Sequence, residues 1–199
     1  MLKIIGKETS INVRKVLWTC VELGLPFERE DWSAGHAALN PNALVPVLLD
    51  GDFVLWESNT ICRYLCARYG NGALLPLDAV GRARVEQWMD WQATDLNTAW
   101  RYAFMALVRR SPAHADPEQL RLSIAAWNRH IGILDAQLAA TGAYAAGASF
   151  TLADVVLGLS VNRWMMTPMD KPAFGHVAAY YERLAEQPGF RTYGRNGIA

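Results

Sequence analysis

Two kinds of apolar spacing divide this chain. In its first third, short apolar runs stand between turn residues and predict strands, whereas beyond residue 82 the apolar positions fall three and four apart and predict helices. Residues 2–6 read as a short buried strand. After Thr9-Ser10, the residues Val13, Val16, Leu17 and Cys20 mark an amphipathic helix that Gly24 closes and Pro26 cannot continue. A second strand covers 27–32, and two strands joined by a helix of this length are parallel with a right-handed crossover. Residues 45–49 and 53–56 form an antiparallel pair turned at Asp50-Gly51, a dipeptide that favours a tight hairpin. Glu57-Ser58-Asn59 then opens a helix carrying Ile61, Leu65 and Tyr69. The order is βαβ followed by ββα, with a polar loop of slight helical character over 33–44.

Gly70, Gly72 and Pro76 break this pattern, after which strand signals disappear. The division predicts an α+β domain over 1–78 and an all-α domain over 79–199. Val85, Trp88, Met89, Gln92, Leu96, Trp100, Phe104 and Leu107 hold one face of a long helix over 82–110, and Asp116-Pro117-Glu118 starts the next with proline at its first position. Phe150-Thr151-Leu152-Ala153-Asp154-Val155 reads as a capping box with a hydrophobic staple, so Asp154 is structural. The helix it opens, 152–166, is apolar nearly all round and is expected at the centre of the second domain. A last helix is expected over 172–186, with Phe190 and Tyr193 in the tail tucking back.

The composition narrows the function. Of 199 residues 52% are apolar, enough for a sizeable core, and 19 basic against 19 acidic residues leave no net charge and no run of like charge. Nucleic acid and anionic membrane are therefore excluded as main partners, in favour of small molecules or other proteins. No stretch approaches the roughly 18 apolar residues of a membrane helix, and the start has too short an apolar run for a signal peptide. Cys20, Cys62 and Cys66 make no disulfide framework and no zinc ligand set, which predicts a reduced, cytoplasmic protein without a metal.

The chemistry concentrates around the hairpin. The backbone N–H groups at the start of the helix opened by Ser58 lie at the positive end of its dipole, where a carboxylate binds readily. Pro46 has no N–H for a strand ladder and follows the one kind of peptide bond that is cis at low cost. A cis Val45-Pro46 bond would turn the N–H and C=O of Val45 outward, so that an extended peptide could add itself as a short strand.

Ser10-Ile11-Asn12-Val13-Arg14-Lys15-Val16, Leu44-Val45-Pro46, Glu57-Ser58 and Phe150-Thr151-Leu152-Ala153-Asp154 occur in this order over almost the whole chain, which resembles the cytosolic glutathione transferases. The resemblance implies a thioredoxin-like first domain that binds glutathione as substrate, a helical second domain lining a co-substrate pocket, and a homodimer engaged in detoxification. It implies that Val45 pairs with the cysteinyl backbone, that Pro46 is cis, and that Glu57 and Ser58 hold the γ-glutamyl end. The lysine or glutamine that many relatives carry before Val-Pro is replaced by Ala43-Leu44, so His36 or Asn42 is the candidate for the glycyl carboxylate.

A cysteine thiol ionises near pH 8.5 and only the thiolate attacks electrophiles well; lowering that value by about two units takes roughly 2.7 kcal/mol. One hydrogen bond to the charged sulfur supplies about 1.5 to 3 kcal/mol and a helix N-terminus about 0.3 to 1 more. With no tyrosine or cysteine ahead of the first helix, the donor is Ser10, Asn12 or Thr9, in that order. Trp100, Arg101, Phe104, Met105 and Trp164 are the expected wall for a hydrophobic electrophile. Conjugation, peroxide reduction and disulfide reduction begin with the same thiolate, and a non-catalytic ligand-binding or regulatory member would need Glu57-Ser58 but not Ser10.

Overall fold

The computed structural model describes all 199 residues. Strands β1 (Leu2–Ile5), β2 (Phe27–Glu30), β3 (Val47–Asp50) and β4 (Phe53–Trp56) form one sheet in the order β2-β1-β3-β4. β1 runs parallel to β2 with Leu2 opposite Phe27, antiparallel to β3 with Ile5 opposite Val47, and β3 pairs with β4 as the hairpin. The crossover between β1 and β2 is helix α1 (Ile11–Glu22), and α2 (Ser58–Tyr69) follows β4 and packs against α1. Gly24 in the left-handed region (φ +64) ends α1 as the sequence predicts. β2 stops at Glu30, two residues short of the expected end at residue 32, and the following loop is a 3-10 turn over Ala34–Leu39.

The remainder is helical: α3 (Ala79–Trp91), α4 (Asn97–Leu107), α5 (Pro117–Thr141), α6 (Leu152–Met166) and α7 (Gly175–Leu184). The single long helix expected over 82–110 is divided by a π-helical turn, Gln92–Leu96, of the kind often found beside functional sites. In this wider turn Gln92 points inward, 1% exposed, and donates to Ser160 Oγ at 3.0 Å and Asn97 Oδ1 at 2.9 Å. α7 begins three residues later than expected, because Pro172 to Phe174 lead into it as extended chain.

α6 is the centre, with every residue from Leu152 to Trp164 buried. It packs against α1, α3 and α7, so one core joins the sheet side to the helical side. Gly158 makes this approach possible, since a Cβ there would meet Leu184 Cδ1 at 2.7 Å and the Trp18 ring at 3.0 Å. At the start of α6, Thr151 donates its N–H and hydroxyl to Asp154 Oδ2 (2.9 and 3.0 Å), while Oδ1 accepts from Ala145 N–H (2.9 Å) and Tyr180 O–H (3.0 Å). Four donors surround this carboxylate, and burial still pushes it up to about 6. Phe190 is buried against Trp18, with ring centroids 5.1 Å apart, so the tail folds back as expected.

Candidate functional site

The Val45-Pro46 peptide is cis, and neither the N–H nor the C=O of Val45 has a partner in the chain. The loop before it is pinned by Asn40, 4% exposed, which donates to the Leu44 carbonyl (2.9 Å) and accepts from the Asn42 N–H (2.9 Å). Gly6 lets this loop approach the start of α1: a Cβ there would lie 2.5 Å from Val13 and 2.9 Å from Val45. Beyond the hairpin Glu57 adopts φ +72, a conformation side chains rarely take, and its carbonyl accepts from Ile61 N–H (2.8 Å) as α2 begins. These pieces enclose a cavity of about 60 Å³ between Asn12 on α1, Asn42 and Val45 on the loop, and Glu57 and Ser58 on α2. Val45, Pro46, Glu57, Ser58, Asn12 and Asn42 are thus brought together.

The two helices that open on this cavity are uncapped. No acceptor meets the N–H groups of Ile11, Asn12 and Val13 in α1 or of Ser58, Asn59 and Thr60 in α2. The hydroxyls of Ser10 and Ser58 make no hydrogen bond either, although Ser10 is the N-cap residue of α1. Elsewhere Asp78, Asp116 and Asp154 close the starts of α3, α5 and α6, and Asp135 Oδ1 accepts from Val177 N–H in α7. Asn12 faces the cavity directly; Ser10 is half-buried, and Thr9 is exposed and does not line this cavity.

His36 is not brought to this cavity. Its Nδ1 accepts from the Ser33 N–H (3.0 Å), which leaves the ring proton on Nε2, 3.3 Å from Glu30 Oε1. The imidazole is occupied in closing its own 3-10 turn. A second hollow of about 340 Å³ lies on the other side of Leu44 and Val45, lined by Lys7, Asp31 and Trp32. Lys7 makes no ion pair and the Trp32 indole N–H has no partner. Sequence reasoning missed both residues, because nothing in the pattern shows that the turns after β1 and β2 meet beside Val45.

Of the expected co-substrate wall, half-buried Trp100 and buried Phe104 (4% exposed) share one face of α4, while Arg101 and Met105 lie on the adjoining one, with Arg101 exposed. Trp164 does not belong to it. It is 3% exposed, donates to Asn128 Oδ1 (2.8 Å) and packs on Phe174, so it is a core residue. Beneath the wall runs a buried polar chain that the sequence did not reveal. Lys15 Nζ donates to Asn59 Oδ1 (3.3 Å) and Gln92 Oε1 (2.9 Å), and Asn97 Oδ1 accepts from both Gln92 Nε2 and Trp100 Nε1 at 2.9 Å. The path leads from the first turn of α2 to the aromatic face of α4. Burial pushes the Lys15 ammonium down to about 8. The thiols of Cys62 and Cys20 are pushed up by burial to about 11 and 12, so neither serves as a nucleophile.

A four-stranded mixed sheet with a cis-proline leading into its interior strand β3, two open helix N-termini facing one cavity and a helical second domain together define the class of fold. The comparisons with known proteins agree. Residues 4–73 match the glutathione S-transferase N-terminal domain and residues 97–188 the glutathione S-transferase C-terminal domain. The chain is 34% identical over 201 residues to glutathione S-transferase GstB of Escherichia coli, covering 96% of each. It superposes with a TM-score of 0.91 and 32% identity on the theta class glutathione S-transferase of Xanthomonas axonopodis pv. citri with glutathione bound, covering 100% of this chain and 99% of that one. Elongation factor 1-gamma 1 of Oryza sativa is 34% identical over 164 residues, which span 37% of that longer protein. The chain belongs to the glutathione S-transferase family, and it is a glutathione transferase.

Proposed function

We propose that this transferase lays glutathione across the hairpin, with its cysteinyl backbone on Val45 beside cis Pro46, its γ-glutamyl end at Glu57 and Ser58, and its thiol at the start of α1. The observation that carries the reading is the pair of uncapped helix starts facing one cavity. A carboxylate at Ser58 accepts N–H groups that nothing in the chain satisfies. At α1 the free Ser10 hydroxyl, with the Asn12 amide second, donates to the thiolate and favours it over the thiol. The glycyl carboxylate falls to the Asn42 amide, with Lys7 and Trp32 in the neighbouring hollow as further donors, and His36 is left out.

The thiolate then attacks a hydrophobic electrophile held by the Trp100 and Phe104 face. The domain boundary in this reading falls at Asp78, which caps α3. A homodimer acting in the cytoplasm completes it, supported by the uncovered edge strand β4 with Phe53 46% and Val54 39% exposed.

Titration of bound glutathione by thiolate ultraviolet absorbance tests the reading. The wild type is expected to show a thiol pKa lowered by about two units, and Ser10→Ala to return most of that shift while glutathione still binds. Loss of the shift in Asn12→Ala alone would move the role to Asn12. An unshifted thiol in the wild type would turn the reading toward a carrier.

A further inference from the structure

Arg163, near the end of α6, is 3% exposed, yet its side chain makes no hydrogen bond and no ion pair. Its guanidinium lies 4.0 Å from the ring centroid of Phe104 and 4.6 Å from that of Trp100. Arg109 reaches the same Phe104 ring at 5.4 Å and is likewise unpaired. The other buried arginine shows what a purely structural role looks like here: Arg14 donates to the backbone carbonyls of Tyr193, Ile198 and Ala199 and to Asn196 Oδ1, at 3.1 to 3.3 Å. Lys15 likewise has its two amide acceptors. Among the buried residues the one carboxylate is Asp154, at the opposite end of α6, nine residues and about 13 Å away along the helix. Burial, with the further positive charge of Arg14 and Arg109 around it, pushes the Arg163 guanidinium down to about 9. Buried charges are ordinarily paired, because an unpaired one loses its hydration without compensation.

We infer that Arg163 is the anion-binding residue of the co-substrate pocket, and that the electrophile this transferase takes carries a carboxylate on an apolar, aromatic body. The Trp100 and Phe104 rings, set edge to face at 78°, both lie within cation–π distance of the guanidinium, and no group in the chain takes its terminal N–H groups, the part of arginine that binds a planar carboxylate in bidentate fashion. Arg109, exposed at the rim, supplies a second charge along the approach. The Lys15–Gln92–Asn97–Trp100 path places this site one layer beyond the glutathione cavity. The inference rests on the reading of the α4 face as the co-substrate wall.

The test is equilibrium binding of paired glutathione conjugates by calorimetry: S-(3-carboxybenzyl)- and S-(4-carboxybenzyl)glutathione, each against its carboxamide. The wild type is expected to bind at least one carboxylate about tenfold or more tightly than its amide, and Arg163→Gln to reduce that preference to about one. Equal binding of acid and amide at both positions overturns the inference while leaving the glutathione site standing. A preference that survives intact in Arg163→Gln also overturns it. Should Arg163→Gln not fold, Arg163→Lys keeps the charge but not the bidentate geometry, and is expected to retain only a few-fold preference; the full wild-type preference would sink the assignment. Failure of every conjugate and of glutathione itself to bind would instead overturn the transferase site, and this inference with it.

Discussion

The helix starts of the first domain and those of the second are built in opposite ways. α3 and α5 each open on an aspartate that accepts N–H groups of the first turn, α6 carries Asp154 in its first turn, where it accepts from the N–H of the N-cap Thr151, and α7 borrows Asp135 for Val177 N–H. α1 and α2 open on serine and glutamate, residues equally able to cap, and use neither side chain for it. A cap is worth about 1 kcal/mol, so leaving two starts open where four are closed forgoes roughly 2 kcal/mol of stability. The open pair faces one cavity and the closed four do not. The N–H groups that folding leaves unmatched are where the proposed reading sets a ligand's carboxylate and thiolate, and the matched ones belong to the architecture.

The strongest way to break that comparison is to open a closed start. Asp154→Ala leaves four donors, two from Thr151 and one each from Ala145 and Tyr180, without an acceptor in the core. The expected loss is about 3 kcal/mol or more, read from the urea midpoint at unchanged slope, with glutathione affinity kept in the protein that remains folded. A loss below about 1 kcal/mol would show that the box is ornamental. The same carboxylate gives a pH signature. Its folded value of about 6 stands above the unfolded value of about 3.9, so between these the folded state holds more protons. Its favourable contribution is therefore fully present below about pH 4 and lost as pH rises through 6. Measured against Asp154→Asn, the wild type is expected to gain about 2 kcal/mol on going from pH 7 to pH 4. Parallel stability curves for the two proteins would mean that Asp154 titrates normally.

On the open side the effect moves from stability to binding. Ser58→Ala removes a hydroxyl that no group in the chain uses. It is expected to weaken glutathione binding about tenfold, the equivalent of one hydrogen bond to a charged group, while shifting the urea midpoint by less than about 0.5 kcal/mol in free energy. An unchanged affinity would remove Ser58 from the γ-glutamyl site.

Much of this contrast was legible in the sequence. The Thr151-to-Asp154 spacing foretold a capping box, Asp116-Pro117 foretold a helix start, and Val45-Pro46 foretold a cis bond, because each depends on residues a few positions apart. Arg14, Lys15 and Arg163 were illegible for the opposite reason. Charged residues on a helix read as its solvent face or, on a central helix such as α6, as its end, and only packing of α1, α4, α6 and the tail around them shows that they are interior. The engagement of His36 was illegible because its partner, the Ser33 N–H, belongs to a local turn that composition does not announce. Trp164 was placed in the pocket on spacing alone, and its burial against Asn128 and Phe174 is again a matter of distant chain.

The smallest expected effect separates the two kinds of start most cleanly. Ser10 and Asp116 occupy the same position, N-cap of a helix with extended backbone (ψ 124 and 117), but only Asp116 uses its side chain, accepting from Glu118 and Gln119 N–H at 2.8 and 3.2 Å. Asp116→Ala is therefore expected to lose about 1 kcal/mol of stability, and Ser10→Ala less than about 0.5 kcal/mol, with thermal and urea unfolding compared side by side. If Ser10→Ala loses as much as Asp116→Ala, its hydroxyl caps α1 in solution and the helix start is not open. If it loses almost nothing while the thiol of bound glutathione rises in pKa, the hydroxyl serves the ligand's sulfur, since the fold has no use for it.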